Sequence, residues 1–443
     1  MYNRRLVQKK IKENSEALEH ISLNQRSYRT WPLFLIVGLK TLCQALFFSA
    51  LPNYLIYTIN MDPELIGVIS ASTALAYIIT PFLGQLIAKK IGKRQAIILS
   101  LFLTSISFTS QVIFFIPTIL VIMQLLEGLS LGLFWPNIMM EISMWQKIST
   151  KEQSDQNFKN FNTSWNLGLL GGFVIGFFLV IFWENDFIAL IVACVLVFCL
   201  IPLGFLLERE DKIIQIEKQP NEILLNKSPI LKDDHLLDDK KPEKKLPKIS
   251  LTHILFPAFI AWTLNLYFTT AKSMYNFIFP FNLKSANFQS YWRYFFIFFQ
   301  QLLQVIAINW IGTQSIRRKK HLTQWMLVFD TFCAILMIFS DNIYLIISAT
   351  VLLGLSTGLK QGLVMRINFD YSTKTGNSKN ITIGELTAGI GFGITPIWVG
   401  VLVNINYQYS YIILAALSSI VLIIYLLSLR NIDLENTIKK HNL

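Results

Sequence analysis

Gly84-Gln-Leu-Ile-Ala-Lys-Lys-Ile-Gly-Lys-Arg94 decides how the rest of the chain is read. An apolar run arrives at this stretch and a glycine supplies the turn. Four cations, Lys89, Lys90, Lys93 and Arg94, crowd the junction before a second apolar run begins. A weaker copy, Gly312-Thr-Gln-Ser-Ile-Arg-Arg-Lys-Lys320, stands 228 positions later, counted from Gly84 to Gly312. Two basic junctions in matching places predict two matching halves.

The runs on either side are of membrane-crossing length. Hydrophobic residues make up 53% of the chain and charged residues 15%, with a mean hydropathy of +0.48. A soluble core cannot hide that much apolar surface, whereas a bilayer about 30 Å thick takes it in runs of about 20 residues. The pattern predicts six helices at about 32–58, 63–90, 94–115, 117–145, 158–183 and 186–207. Six more are predicted at about 252–281, 289–313, 321–340, 342–368, 381–403 and 406–429. Asp62-Pro63-Glu64 is a strong start for the second: the aspartate caps free amides, proline suits the first turn, and acid favours the positive end of the helix dipole.

The net charge of +12 lies between the apolar segments, so it reads as topology and not as a nucleic-acid surface. Lys and Arg cluster after helices 2, 4, 8 and 10. The intervening loops carry none except Lys284 after helix 7. The positive-inside rule then places both termini in the cytoplasm of a multi-pass protein, with the plasma membrane as the expected site. Residues 1–30 read as a polar cytoplasmic tail without a cleavable signal. A six-helix unit over 31–207 follows, then a mixed-charge linker over 208–250, a second unit over 251–430 and a tail over 431–443. The four cysteines sit in apolar runs without metal-ligand spacing and read as small core residues. No metal, haem or other cofactor is expected.

Ionisable groups at membrane depth are functional candidates by default, because burying one unpaired costs several kcal/mol. Lys40 lies about 13 Å into helix 1, with Gln44 one turn on along the same face, and Glu127 lies about 15 Å into helix 4. Lys40 and Glu127 read equally as parts of a substrate or coupling site and as a structural pair. Lys360-Gln361 lies in helix 10. Its ammonium suits a carboxylate or phosphate on a solute. Asp330, mid-way along helix 9, has no evident role.

Gly128-Leu-Ser-Leu-Gly-Leu133 in helix 4 and Gly354-Leu-Ser-Thr-Gly-Leu359 in helix 10 are 226 positions apart, close to the 228 between the basic junctions. Small residues at this spacing also let helices pack closely, but two agreeing offsets argue for duplication. With twelve spans in two sixes and a cytoplasmic linker, the chain resembles the major facilitator superfamily over nearly its whole length. Gly84–Arg94 is similar to that family's signature between helices 2 and 3. It departs in being one residue longer and in carrying Ala88 or Lys89 where the family has an acid. Helix 4 matches the next pattern through Gly128 and Gly132, with Gln124 where an arginine is expected. Helix 5 has Gly168, Gly171, Gly172 and Gly176 but lacks the Gly-Pro step of drug/proton antiporters.

The resemblance implies an all-α membrane protein of twelve transmembrane helices in two pseudo-symmetric bundles, with helices 1, 4, 7 and 10 lining a central cavity. By that resemblance Lys40, Gln44, Glu127, Trp135, Asn137, Asn265, Lys360 and Gln361 face the cavity, with Gln301 and Gln304 of helix 8 on its wall. In the family the acid of the signature loop ties helix 2 to the start of helix 11. Here Glu385, read in the first turn of helix 11, could make that tie with exchanged charges to Lys89, Lys93 or Arg94, across a junction turned by Gly84 and Gly92; the alternative is that Glu385 only caps its helix and the loop cations only fix topology. The implied activity is secondary transport of a small organic solute by alternating access, as symporter or antiporter, with protons or sodium as coupling ion. The alternatives are an exporter of lipophilic compounds and a transporter-like receptor without transport. No phosphate loop, catalytic triad or metal motif points to an enzyme.

Overall fold

The computed structural model describes residues 30–148, 151–208, 258–314, 316–339, 343–375 and 379–441. Apart from Thr30 and Glu208, the expected N-terminal tail and linker lie outside the described residues. The first six helices are α1 (Trp31–Tyr57), α2 (Pro63–Ile91), α3 (Lys93–Ile113), α4 (Pro117–Ile148), α5 (Lys151–Trp183) and α6 (Asp186–Gly204). Then come α7 (Ala258–Ser285), α8 (Tyr291–Thr313), α9 (Ile316–Ile338) and α10 (Ile343–Thr375). The stretch Lys379–His441 is broken where Asn406 turns extended (φ −167°, ψ 120°). The part before Asn406 is α11 and the part after it α12.

Among the described residues, ten helical stretches are long and apolar enough to cross a membrane, and Ile383–Leu429, at 47 residues, has room for two crossings. The remaining helix, α7, is polar for its length, with Asn265, Thr269, Lys272, Ser273 and Asn276 in its middle. The outer surface carries exposed Trp31, Phe178, Phe182, Trp183 and Tyr344, side chains that a lipid environment accepts. Cys43, Cys194 and Cys333 are buried as expected, but Cys199 is exposed on the outside of α6.

Local chemistry explains the boundaries. Asp62 caps α2 by accepting from the Glu64 amide at 2.9 Å, and Asn185 caps α6 by accepting from Phe187. The carboxyl of Asp62 is held below its ordinary range, first by the Asn404 amide and then by the Glu64 N–H. The basic junction is tighter than the sequence suggested. Lys89 and Lys90 complete the last turn of α2, Lys93 and Arg94 open α3, and Gly92 alone separates them, at φ 89°. Arg317–Lys320 likewise form the start of α9 and not a loop, since long unbranched basic residues are good helix formers.

The halves repeat their packing. In the first, Gly128 and Gly132 of α4 lie against Thr73 and Thr80 of α2. In the second, Gly354 and Gly358 of α10 lie against Gln300 and Gln304 of α8. A Cβ on Gly84 would stand 2.1 Å from the Gly132 carbonyl oxygen. That carbonyl has lost its usual donor, because residue 136, one turn on, is proline. Other prolines free carbonyls that side chains then claim. Ser273 donates to Phe392 O, four residues before Pro396, at 3.3 Å. Arg293 donates to Asn276 O, four residues before Pro280, also at 3.3 Å.

The halves meet along two seams. Gly67 of α2 fits against Pro396 and Gly400 of α11, and this contact continues past Leu75–Gly393 to Ile78–Gly389. On the other side α5 meets α8 through Gly176 against Tyr294 and a small cluster of Ala45, Phe173 and Ile297.

The Gly84 crossing yields a stability prediction. Gly84→Ala forces a Cβ into backbone and should cost about 1–3 kcal/mol, lowering the thermal midpoint in detergent by several degrees. Gly171→Ala, whose Cβ would meet only Leu42 at 3.4 Å, should be near neutral. Equal midpoints for the two variants would contradict the close approach of α2 and α4.

Candidate functional site

Three lysines stand near the middle of their helices: Lys40 on α1, Lys272 on α7 and Lys360 on α10. Two of them are closed off. Lys40 is 0% exposed; its ammonium donates to Glu127 Oε1 at 3.2 Å and to the Thr104 hydroxyl. Gln44 Nε2 donates to the same Glu127 oxygen at 3.2 Å, so Lys40, Gln44 and Glu127 form one cluster. The Thr104 and Ser130 hydroxyls are 2.6 Å apart, and Ser130 donates to Ser100 O at 2.7 Å. The ammonium lies 5.9 Å from the ring centres of both Phe108 and Phe134. Glu127 Oε2 is buried without a hydrogen-bond partner.

The second half rebuilds this arrangement with its charges moved. Adding 226 takes Ser100, Thr104, Ser130 and Phe134 to Met326, Asp330, Ser356 and Lys360. Lys360 donates to Asp330 Oδ2. Ser356 donates to Asp330 Oδ1 and lies 3.4 Å from Met326 O, as Ser130 does to Ser100 O. The Lys360 ammonium sits 4.7 Å from the centre of the Tyr267 ring on α7. In one half the first helix gives the cation and the fourth an aromatic ring. In the other half the fourth helix gives the cation and the first the ring. This accounts for Asp330. It also means that Lys360, 0% exposed and matched by a carboxylate, does not offer the free charge its sequence position suggested.

Lys272 differs. It is half-buried and donates to Gln304 Oε1 at 2.8 Å and Gln301 Oε1 at 3.1 Å. Gln304 Nε2 in turn donates to Gln361 Oε1 at 2.5 Å. No carboxylate pairs with it among the described residues. The structure therefore brings together Gln301, Gln304 and Gln361, as expected, around a lysine the sequence reading passed over. The available signal was a lone charge in the middle of a long apolar run.

Other expected site residues lie apart from this cluster. Asn137, 0% exposed, donates to Leu133 O within its own helix at 2.6 Å. Asn265 ties α7 to α11 through Gly384 O at 2.6 Å and Thr387 Oγ1 at 3.1 Å. Trp135 packs on Trp165 with ring centres 6.1 Å apart. Gln124 satisfies its position without charge, donating to Gln111 and accepting from Thr73.

Of the expected gating residues, Gly84 is a packing residue, Gly92 the turn, and Arg94 donates to Phe205 O at the end of α6. Lys89 and Glu385 are exposed, and Glu385 makes no ion pair with Lys89 or Arg94. Glu385 also stands six residues into α11, beyond the first turn where the sequence placed it, so a capping role is weak.

Where the two halves are seen to bond to each other, the bonds lie at the end opposite the basic junctions. Buried Arg293 donates to Ser49 O at 3.0 Å and to Asn53 Oδ1 at 2.9 Å. Asn53 Nδ2 donates to Asp186 Oδ1 and Ser290 O, and Tyr294 donates to Asp186 at 2.8 Å. Lys284 donates to Ile56 O and Asn60, Tyr57 to Pro280 O, and Asn404 to Asp62. These bonds tie α1, α2 and α6 of the first half to α7, α8 and α11 of the second. Sequence reading missed it because each member is a lone polar residue near a helix end.

The known structures most useful for comparison share this architecture. The nucleoside transporter NupG superposes with a TM-score of 0.66 at 13% identity, over 90% of this chain and 98% of that one. A POT family transporter in complex with 5-aminolevulinic acid superposes with a TM-score of 0.65 at 14% identity, over 89% and 95%. At these identities the likeness is one of fold. No curated protein matches the chain. The sequence profile of the Major Facilitator Superfamily matches residues 33–329, about two thirds of the length, a span that includes both basic junctions and the first glycine motif. The chain is an integral, multi-pass membrane transporter and belongs to the Major Facilitator Superfamily.

Proposed function

We propose that the chain is a secondary active transporter working by alternating access, for a small polar solute that carries an acidic group, coupled to protons or sodium. The observation that supports it best is the asymmetry between the two ends. The hydrogen bonds seen to link the halves gather at the end opposite the basic junctions. Two halves held together in this way at one end are the pieces a rocking mechanism needs. The positive-inside rule makes the basic-loop end cytoplasmic, with both termini on that side, in the plasma membrane. The structure is then the form closed to the outside. The solute or coupling ion is handled by Lys40, Gln44, Glu127, Trp135, Asn137, Asn265, Gln301, Gln304, Lys360 and Gln361. The fold neighbours differ in what they hold, a nucleoside carrier and a protein bound to 5-aminolevulinic acid, so the fold leaves the solute open.

Purified protein in liposomes with a panel of solutes tests this directly. Saturable uptake of a polar acid supports it; extrusion of dyes or no flux at all overturns it. Arg293→Gln removes the donor that holds Ser49 and Asn53. Labelling from outside of a cysteine at a cavity position, Trp135→Cys, should rise about tenfold, and unchanged labelling would remove Arg293 from the gate. Glu127→Gln should abolish accumulation and its pH dependence while the protein still inserts. Wild-type rates would leave Glu127 as a structural partner of Lys40 only. At the other end, Glu385 and the basic loop would pair when the cytoplasmic side closes. Glu385→Lys should then raise cytoplasmic labelling, and adding Lys89→Glu or Arg94→Glu should reverse it. Without that reversal the charge pairing is wrong.

A further inference from the structure

We infer that Lys272, Gln301 and Gln361 form a receptor for a single carboxylate, an assignment that rests on the transport reading and names the solute's acidic group. The argument starts from what an ammonium can do. It has three donors and no acceptor, so any amide that contacts it must present its oxygen. Gln301 and Gln304 both contact Lys272, at 3.1 and 2.8 Å, so both turn their oxygens towards it and their NH2 groups away. The NH2 of Gln304 is then spent on Gln361 Oε1 at 2.5 Å, which turns the NH2 of Gln361 outward in its turn. One lysine thereby fixes the direction of three amides.

What is left over is all of one kind. The Gln301 and Gln361 nitrogens have no partner among the described residues, yet neither is sealed in packed protein. Lys272 keeps a third N–H beyond the two it has used. Spare donors and one positive charge, with each amide oxygen already accepting a bond, describe a site for oxygen anions. Gln301 at 7% and Gln304 at 3% exposed are buried between α7, α8 and α10, and Lys272 is half-buried beside them.

The charge count narrows the ligand. Lys40 is balanced by Glu127 and Lys360 by Asp330, which leaves Lys272 as the uncompensated cation of this layer among the described residues. One negative charge neutralises it. A second would leave a bare charge near the middle of the membrane, which is costly. A monocarboxylate therefore fits better than a dianionic phosphate.

Chemical labelling tests this without knowing the solute. In the full chain with its four cysteines replaced, Gln361→Cys puts a thiol one residue, Gln304, away from Lys272 while leaving Lys272 and Gln301 to hold the anion, and it is treated with an anionic or a cationic methanethiosulfonate reagent. The anionic reagent should react at least tenfold faster, and Lys272→Gln should remove the preference. Acetate should slow the reaction, while acetamide should not, and inorganic phosphate should be weaker than acetate. Equal rates for the two reagents, no labelling, or no protection by acetate would overturn the receptor. Stronger protection by phosphate would overturn the carboxylate assignment. Liposome uptake is read separately, so a protein that shows the charge preference without flux refutes the transport reading and not the anion site. Flux without the preference does the reverse.

Discussion

Hydrocarbon offers no hydrogen bonds, so every polar group inside the membrane must find its partner within the protein. That constraint organises most of what is seen here. It makes the chain helical. It gives the carbonyls freed by Pro280 and Pro396 to Arg293 and Ser273, and leaves the one freed by Pro136 directed at a residue that must be glycine. It also pairs Lys40 with Glu127 and Lys360 with Asp330, because a buried ion without its partner would cost several kcal/mol.

The duplicated frame shows how the constraint survives divergence. The serine that bonds a carbonyl of the neighbouring helix is kept in both halves, at Ser130 and Ser356. Around it Thr104 has Asp330 as its counterpart, and Phe134 has Lys360. A lysine on the first helix facing a ring on the fourth becomes a lysine on the fourth facing a ring on the first. Neither half could exchange one of these residues alone without leaving a charge unmatched. Each reads as a unit, and its burial argues for holding helices together at least as much as for touching solute.

The spans, the cap at Asp62, the glycine turn and the 226-residue repeat were all legible, because each depends on neighbours in sequence or on a spacing that counting reveals. The pairing of Lys360 with Asp330 was not read, although the same offset that aligned the glycines would have set Asp330 against Thr104. Attention to which helices usually line a cavity hid it. Lys272 escapes for a similar reason: helix 7 shows Asn265 as its polar candidate, and a lone lysine further along carries no repeat or motif. Arg293, Asn53 and Asp186 come from three separate helices and meet only when the two halves dock, and no local pattern encodes that. Glu385 moved the other way. Its position was legible, but the helix begins earlier than the sequence suggested, and the capping role went with it.

Two of the three central lysines are silent in the sense that their fields are cancelled at contact distance. The third is held by amide oxygens, which solvate a cation without neutralising it. This is a standing cost in the empty protein, and a solute that brings one negative charge removes it. Binding then changes the balance between states only if the solute fits one of them better. The contacts across the halves are already asymmetric, with buried Arg293, Asn53 and Asp186 closing one end and an exposed Glu385 at the other. On the proposed reading, a charge neutralised between two such ends lowers the cost of closing the halves around it. An open cavity with water at Lys272 can bear the bare ammonium, and a closed one bears it far less easily. If the solute carries that charge, the empty carrier is penalised for closing and the loaded one is not, which is the condition under which rocking of the halves becomes movement of the solute.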